Sequence, residues 1–413
     1  MKKRIVITGI GAVSPIGIGN EEFTKSLMAG KSGVTLIDTF DTRLYTTKFA
    51  ASIRDFVPEK FIERKKIKRM ARFTQLGFAA AKLAIDDSKI VLDRVNMSRV
   101  GVIAGIGIGG LDIIEEEEQI LLLKNPNRVS PFLIPMIITN ILPGEIAIEY
   151  GFTGPNYTIT SACASSNNAI GDALRILRNG DADVIISGGS ESAICPLGLA
   201  GFCSIRALSK QNNTPSTASR PFDKTRDGFV MGEGSGMIVL ETLEHALSRG
   251  AQIYAELIGY GASNDAYHIT APDPSGASVV LAMERALNDA NISCNDIDYI
   301  NAHGTSTKLN DHIETLAIKK VFGKRSYKIP ISSTKSMVGH LLGGAAAIEL
   351  VATVIAMRDG FIPPTINYKV FDPECDLDYV PNIMRTQYIN CALSNSLGFG
   401  GHNATIIIKK YNI

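Results

Sequence analysis

Short apolar runs alternate along this chain with longer stretches whose apolar positions recur at helical spacing. The runs predict strands over 3–8, 100–104, 182–188, 237–241, 253–260, 297–302, 328–332 and 404–409. The longer stretches predict helices over 73–85, 168–178, 242–249, 278–290 and 341–358. The 182–188 run is mostly apolar, which suits a buried parallel strand. One junction stands out. Tyr157-Thr158-Ile159-Thr160-Ser161-Ala162-Cys163 opens with strand-forming residues, turns through small ones and leads into the 168–178 helix. Strands alternating with helices predict an α/β fold.

The second half repeats this rhythm. In the first half, a strand, the Cys163 turn and a helix end at Leu177-Arg178-Asn179-Gly180. In the second, a strand, the Lys335-Ser336-Met337-Val338-Gly339-His340 turn and a helix end at Met357-Arg358-Asp359-Gly360. The order predicts two α/β halves, 1–250 and 251–413. Pseudo-symmetry would bring their strand ends to one crevice.

Composition narrows the function classes. A chain of 413 residues, 45% hydrophobic and 20% charged, is ordinary for a globular protein with a large core. The formal charge of +1 gives no global field for nucleic acid. Six cysteines without a C-x-x-C pair argue against a disulfide framework or a zinc site. They fit a reducing compartment, and a cytoplasmic location is expected. Basic Lys2-Lys3-Arg4 is followed only by Ile5-Val6-Ile7, too short a run for a signal peptide. The most apolar window, 132–142, is broken by Pro135 and Asn140 and falls short of the roughly 20 residues of a membrane span. Glu115 to Glu118 read as a solvated helix face. Gly9-Ile10-Gly11 after a strand hints at a dinucleotide turn, but Ser14 stands where the third glycine belongs.

The candidate chemistry lies at strand ends. A thiol at a helix N-terminus faces unpaired N–H groups and the positive end of the dipole, which favours a nucleophilic thiolate at Cys163. The alternative is a buried core cysteine. Of six histidines, His303 and His340 sit beside glycine in strand-end turns. Neutral imidazoles there would supply N–H donors to a thioester carbonyl. Lys335 adds a positive charge, with an ion pair to Glu314 or Glu349 as its plain structural role. The loop Asn395-Ser396-Leu397-Gly398-Phe399-Gly400-Gly401 has the glycines to bring a backbone N–H close to a reacting centre. Arg64-Lys65-Lys66-Ile67-Lys68-Arg69 is a dense basic run, either a solvated face or a patch for an acidic partner.

These motifs, with Ile5-Val6-Ile7-Thr8-Gly9-Ile10-Gly11, Thr160-Ser161-Ala162-Cys163-Ala164, 228–236 and Asn301-Ala302-His303-Gly304-Thr305-Ser306-Thr307, resemble those of the β-ketoacyl-acyl carrier protein synthases, most closely synthase II of type II fatty acid synthesis. The resemblance spans essentially the whole chain. It implies a thiolase-like duplicated α/β/α/β/α sandwich and a homodimer. It implies a decarboxylating Claisen condensation with no metal or other cofactor. Cys163 would carry the acyl chain, and His303 and His340 would act on malonyl-acyl carrier protein. Lys335 and the Phe399 N–H would support them. Thr305 and Thr307 would contact the pantetheine arm, and Ile108 and Phe202 the acyl chain. Lys65, Lys68, Arg69 and Arg206 would dock the acidic carrier protein, and Phe399 would gate the pocket.

The chain departs from the family pattern at Ser165-Ser166-Asn167, Lys308, Leu397 and His402, and in the Gly/Ala order of 343–347. These departures bear on chain length and gating rather than on reaction type. Three other readings stand beside this one. They are a thiolase with a late second cysteine such as Cys391, a non-catalytic chain-length factor, and a nicotinamide enzyme resting on Gly9-x-Gly11.

Overall fold

A computed structural model describes residues 2–411. Ten principal strands appear. The first five are β1 (Ile5–Ser14), β2 (Val100–Gly105), β3 (Asn156–Ile159), β4 (Val184–Glu191) and β5 (Gly234–Thr242). The second five are β6 (Ala255–Asn264), β7 (Tyr299–Asn301), β8 (Ile331–Ser332), β9 (Cys391–Gly398) and β10 (His402–Lys409). The main helices are α1 (Arg72–Ser88), α2 (Ser165–Asn179), α3 (Ala277–Ala290), α4 (Lys308–Phe322) and α5 (Ala345–Asp359).

The order across the first five strands is β3-β2-β4-β5-β1, and across the second five β8-β7-β9-β10-β6. Position for position these are the same order. The directions match too: β3, β2 and β4 run parallel, as do β8, β7 and β9, while β5 and β10 pair antiparallel on both sides. The halves join where Val6 and Ile7 of β1 pair with Glu256 and Ala255 of β6.

Helices α2 and α5 pack between the halves, touching strands of both. This placement explains α5, which is buried along nearly its whole length and is apolar all round rather than on one stripe. Helix α1 covers the outer face of the first half, and α3 the outer face of the second. The result is the five-layer thiolase-like sandwich.

Several boundaries differ from the sequence pattern. β1 does not stop at Thr8 but runs through the Gly9-Ile10-Gly11 segment to Ser14. A Cβ on Gly9 would lie 2.2 Å from the Ala84 carbonyl oxygen, and one on Gly11 2.1 Å from that of Ala80. These glycines let α1 press against β1 and form no phosphate turn, so the dinucleotide reading loses its basis. The helix expected at 341–358 begins only at Ala345, after a tight turn at Leu342–Gly344. The acidic 115–118 face is only partly solvated, because Glu115 accepts the Leu197 N–H and Glu117 that of Ser130. Among the described residues, no helix is long and apolar enough to cross a membrane.

Candidate active site

Cys163 lies two residues before the first residue of α2. The turn that carries it is sharp: Ala162 has φ +50°, an uncommon conformation for a residue with a Cβ. Local hydrogen bonds hold it there. Ser165 Oγ donates to the Ala162 carbonyl at 2.6 Å and accepts the Ser161 N–H at 2.9 Å. Ser396 Oγ donates to the Cys163 carbonyl at 2.7 Å. The unusual Ser165-Ser166-Asn167 sequence is therefore used: Ser166 donates to the Gly343 carbonyl, and the Asn167 amide reaches the Ser394 and Ala404 carbonyls.

One pocket of about 510 Å³ opens on this turn. Its walls include Cys163, His303 and His340, brought together from the two halves as the repeat predicted. Ile108, Phe202, Arg206, Thr305, Thr307 and Phe399 also line it. Lys335 stands behind the wall and touches His303. Lys65, Lys68 and Arg69 are exposed and lie outside the pocket lining.

The imidazoles are oriented. His340 Nε2 lies 3.0 Å from Cys163 Sγ, and its Nδ1 accepts the Leu342 N–H at 3.3 Å. His303 Nδ1 lies 3.3 Å from Lys335 Nζ, an ammonium that can only donate. Both rings therefore carry their proton on Nε2. They meet edge to face, with centroids 5.3 Å apart. Burial first, and then the Lys335 charge, hold both well below the ordinary imidazole value. Both are neutral N–H donors. Lys335 itself pairs with buried Glu349.

The expectation of a resting thiolate is not met. Burial pushes the Cys163 thiol up to about 11, against the pull of Lys335 and of the Phe399 and Cys163 N–H groups. The helix terminus was legible in the sequence; the burial that opposes it was not. Those two N–H groups converge on the sulfur. Gly398 makes this possible, since a Cβ there would lie 2.8 Å from the Ser161 carbonyl oxygen.

Three buried carboxylates stand near the site: Glu349 is the ion-pair partner that the sequence offered for Lys335, Glu314 was offered for the same role but binds backbone instead, and Glu191 was missed. Glu314 accepts the His303 and Gly304 N–H groups, both at 2.8 Å. Glu349 holds Lys335, and Glu191 binds loops beneath the pocket. Burial pushes each up to about 7. An acid closing an apolar strand was the available signal for Glu191. The segment 264–273 was also missed. It is tied to the glycine loop by Gly400 N–H to the Ile269 carbonyl at 2.8 Å and Asn403 to Asp265 at 2.7 Å.

Family models for the β-ketoacyl synthase N-terminal and C-terminal domains match residues 2–246 and 254–369. This chain belongs to the β-ketoacyl synthase family. It is 52% identical over 410 residues to the 3-oxoacyl-[acyl-carrier-protein] synthase 2 of Synechocystis sp., covering 99% of each chain. It is 48% identical to the protein of the same description from Coxiella burnetii, again over 99% of each. Among solved structures, the ishigamide ketosynthase/chain length factor superposes with TM-score 0.94 at 38% identity over 100% of both chains. A β-ketoacyl synthase from Burkholderia phymatum gives 0.92 at 34%, covering 99% of this chain and 100% of that one. The chain is thus a condensing enzyme of the acyltransferase class with the thiolase-like fold. Cys391, buried in β9 and absent from the pocket lining, does not supply the second thiol of a thiolase.

Proposed function

We propose that this synthase elongates fatty acyl chains by decarboxylating Claisen condensation, in three steps at Cys163. First, the Cys163 sulfur attacks the thioester of an acyl-acyl carrier protein. The C–S bond to the carrier breaks, the carrier leaves as its thiol, and the acyl chain stays on Cys163. Second, malonyl-acyl carrier protein enters. Its terminal C–C bond breaks, carbon dioxide leaves, and the electron pair moves onto the thioester carbonyl. The Nε2–H groups of His303 and His340 donate to that oxygen. Third, the resulting carbanion attacks the acyl-Cys163 carbonyl, whose oxygen sits against the Cys163 and Phe399 N–H groups. Cys163 leaves as the thiolate, and the β-ketoacyl product is two carbons longer.

The observation that carries this reading is the pair of neutral, Nε2-protonated imidazoles in one pocket with the thiol. Lys335 positions His303 in its tautomer. Ile108 and Phe202 face the acyl chain, Thr305 and Thr307 the pantetheine arm, and Phe399 gates entry. Acyl carrier protein is the macromolecular partner, and Lys65, Lys68, Arg69 and Arg206 meet its acidic surface. A ketosynthase complex with its acyl-carrier protein among the similar structures supports that partner.

The same reading includes a homodimer and a cytoplasmic location. Among the described residues, β3 ends the sheet with one edge unpaired, and Leu122 and Leu123 are 71% and 82% exposed. A second copy would cover both features; sedimentation as a monomer at micromolar concentration would overturn this. Six free cysteines suit the reducing cytoplasm. The proposed division is into halves 1–250 and 251–413, each contributing one side of the pocket.

The test is Cys163→Ala, with acyl- and malonyl-carrier proteins as substrates and products read by mass. The expected result is no acyl-enzyme and no β-ketoacyl product. Normal product from this variant would overturn the mechanism.

A further inference from the structure

Glu191 closes β4 and is fully buried. Among the described residues its carboxylate has no ion-pair partner. Instead it gathers four backbone N–H groups. Oε2 accepts from Gly107 at 2.8 Å, Ile108 at 3.0 Å and Gly343 at 3.2 Å, and Oε1 accepts from Gly109 at 3.0 Å. A buried carboxylate without a cation is unfavourable unless its lone pairs are satisfied. Here the backbone of two separate loops satisfies them.

Both loops belong to the pocket. The first follows β2 and puts Gly107 and Ile108 on its wall. The second is the Leu342–Gly344 turn, whose first N–H fixes Nδ1 of His340. The loops touch only because both are glycine at the contact. A Cβ on Gly343 would lie 2.1 Å from the Gly107 nitrogen and 2.7 Å from Glu191 Oε2; one on Gly107 would lie 2.7 Å from the same oxygen. No side chain fits between them, and the Glu191 carboxylate hydrogen-bonds to both.

We propose that Glu191 is a positioning residue, a carboxylate clamp that fixes the acyl-pocket wall at 107–109 to the turn orienting His340 and so sets acyl chain-length selectivity. Three of its four bonds go to the wall, so the wall loosens first when the clamp weakens. The proposal rests on the condensing reaction at Cys163.

Glu191→Gln tests it. The amide keeps the shape but turns an NH₂ group toward backbone donors: with its oxygen at the Oε2 site the Gly109 contact of the wall is lost, and with its oxygen at the Oε1 site the Gly107, Ile108 and Gly343 contacts are lost. The assay is acyl transfer to Cys163 from carriers of increasing chain length, alongside malonyl decarboxylation, melting temperature and iodoacetamide labelling of Cys163. The kcat/KM ratio between long and short chains should shift about tenfold, the scale of a changed apolar pocket wall. Labelling should stay complete, and decarboxylation should fall less than the worst-affected transfer. On an Ile108→Ala background the shift should largely vanish, since both changes act on one wall. A uniform loss at every chain length would make Glu191 a framework residue and overturn the proposal. If Glu191→Gln does not fold, Glu191→Asp, which withdraws the carboxylate by one methylene, is read the same way. An unchanged profile, or failure of both variants to fold, overturns it equally. Absence of acyl-Cys163 in the unaltered enzyme would instead refute the reaction itself, so the two failures are distinguishable.

Discussion

His340→Ala separates the two half-reactions. In the proposed mechanism the malonyl thioester oxygen receives two N–H donors, from His303 and His340, in a pocket where both imidazoles are buried and neutral. Removing one preorganised donor of this kind lowers a rate on the order of 10²–10³-fold, about 3–4 kcal/mol. Malonyl decarboxylation should fall by that factor. Acyl transfer should fall less, roughly tenfold at most, because its oxyanion donors are the backbone N–H groups of Cys163 and Phe399, and only the 3.0 Å contact to the sulfur is lost. Carbon dioxide release from labelled malonyl-carrier protein reads the first step, and acyl-enzyme mass reads the second. His340→Gln restores an N–H near Nε2 and should recover roughly tenfold of the decarboxylation loss. The pH profile adds a check. Both imidazoles titrate well below 6.5, so decarboxylation should show no rise as pH falls from about 8 to 6.5. An imidazolium electrophile would instead make the rate climb as pH falls. Equal loss of both steps, or a rate that rises below neutrality, would refute the reasoning.

Two further outcomes are expected. Reversing charge at Lys65 and Arg69 should raise KM for carrier-protein substrates several-fold and leave small pantetheine thioesters nearly unaffected, since both side chains are exposed and stand outside the pocket; equal effects on both substrate classes would remove the docking role. Glu241→Gln should destabilise the fold above about pH 4.5. Buried Glu241 is bonded by Arg249, His245 and Thr8, which together overcome its burial and hold it down to about 2 from 4.5. That difference is worth about 3 kcal/mol, present above the unfolded value and lost as pH falls through the folded one. Urea unfolding at pH 7 and pH 3 measures it, and an advantage of the unaltered chain that fails to shrink at pH 3 would count against the network.

The strands and helices that lie inside the sandwich were the legible ones. β4, buried on both sides, writes itself as an apolar run, and α5 as a long apolar helix. The edge strand β8 was overread, because only Ile331 and Ser332 pair with β7. Gly9 and Gly11 misled for a general reason. Glycine marks close approach as well as turns, and the group approached here, α1, lies some seventy residues away. At the site, Cys163, His303 and His340 were visible because each sits at a strand-to-helix turn. Glu349 was legible as an ion-pair partner of Lys335, but Glu191 and the actual role of Glu314 were not, since both bind backbone N–H groups, which leave no trace in side-chain identity.

The charge arrangement around Lys335 has a chemical consequence beyond orientation. Its ammonium is neutralised by Glu349, so it remains in the interior without making the pocket strongly cationic. Yet it faces His303 Nδ1 at 3.3 Å and opposes protonation of both rings. A second proton on either ring would make an acid strong enough to quench the enolate that decarboxylation leaves behind. A neutral imidazole holds its N–H firmly, so it stabilises that charge without giving the proton away. The carbanion then survives long enough to meet the acyl group on Cys163. On this argument the deep burial of the site, which works against a resting thiolate, serves the later step by keeping both imidazoles as donors that do not act as acids.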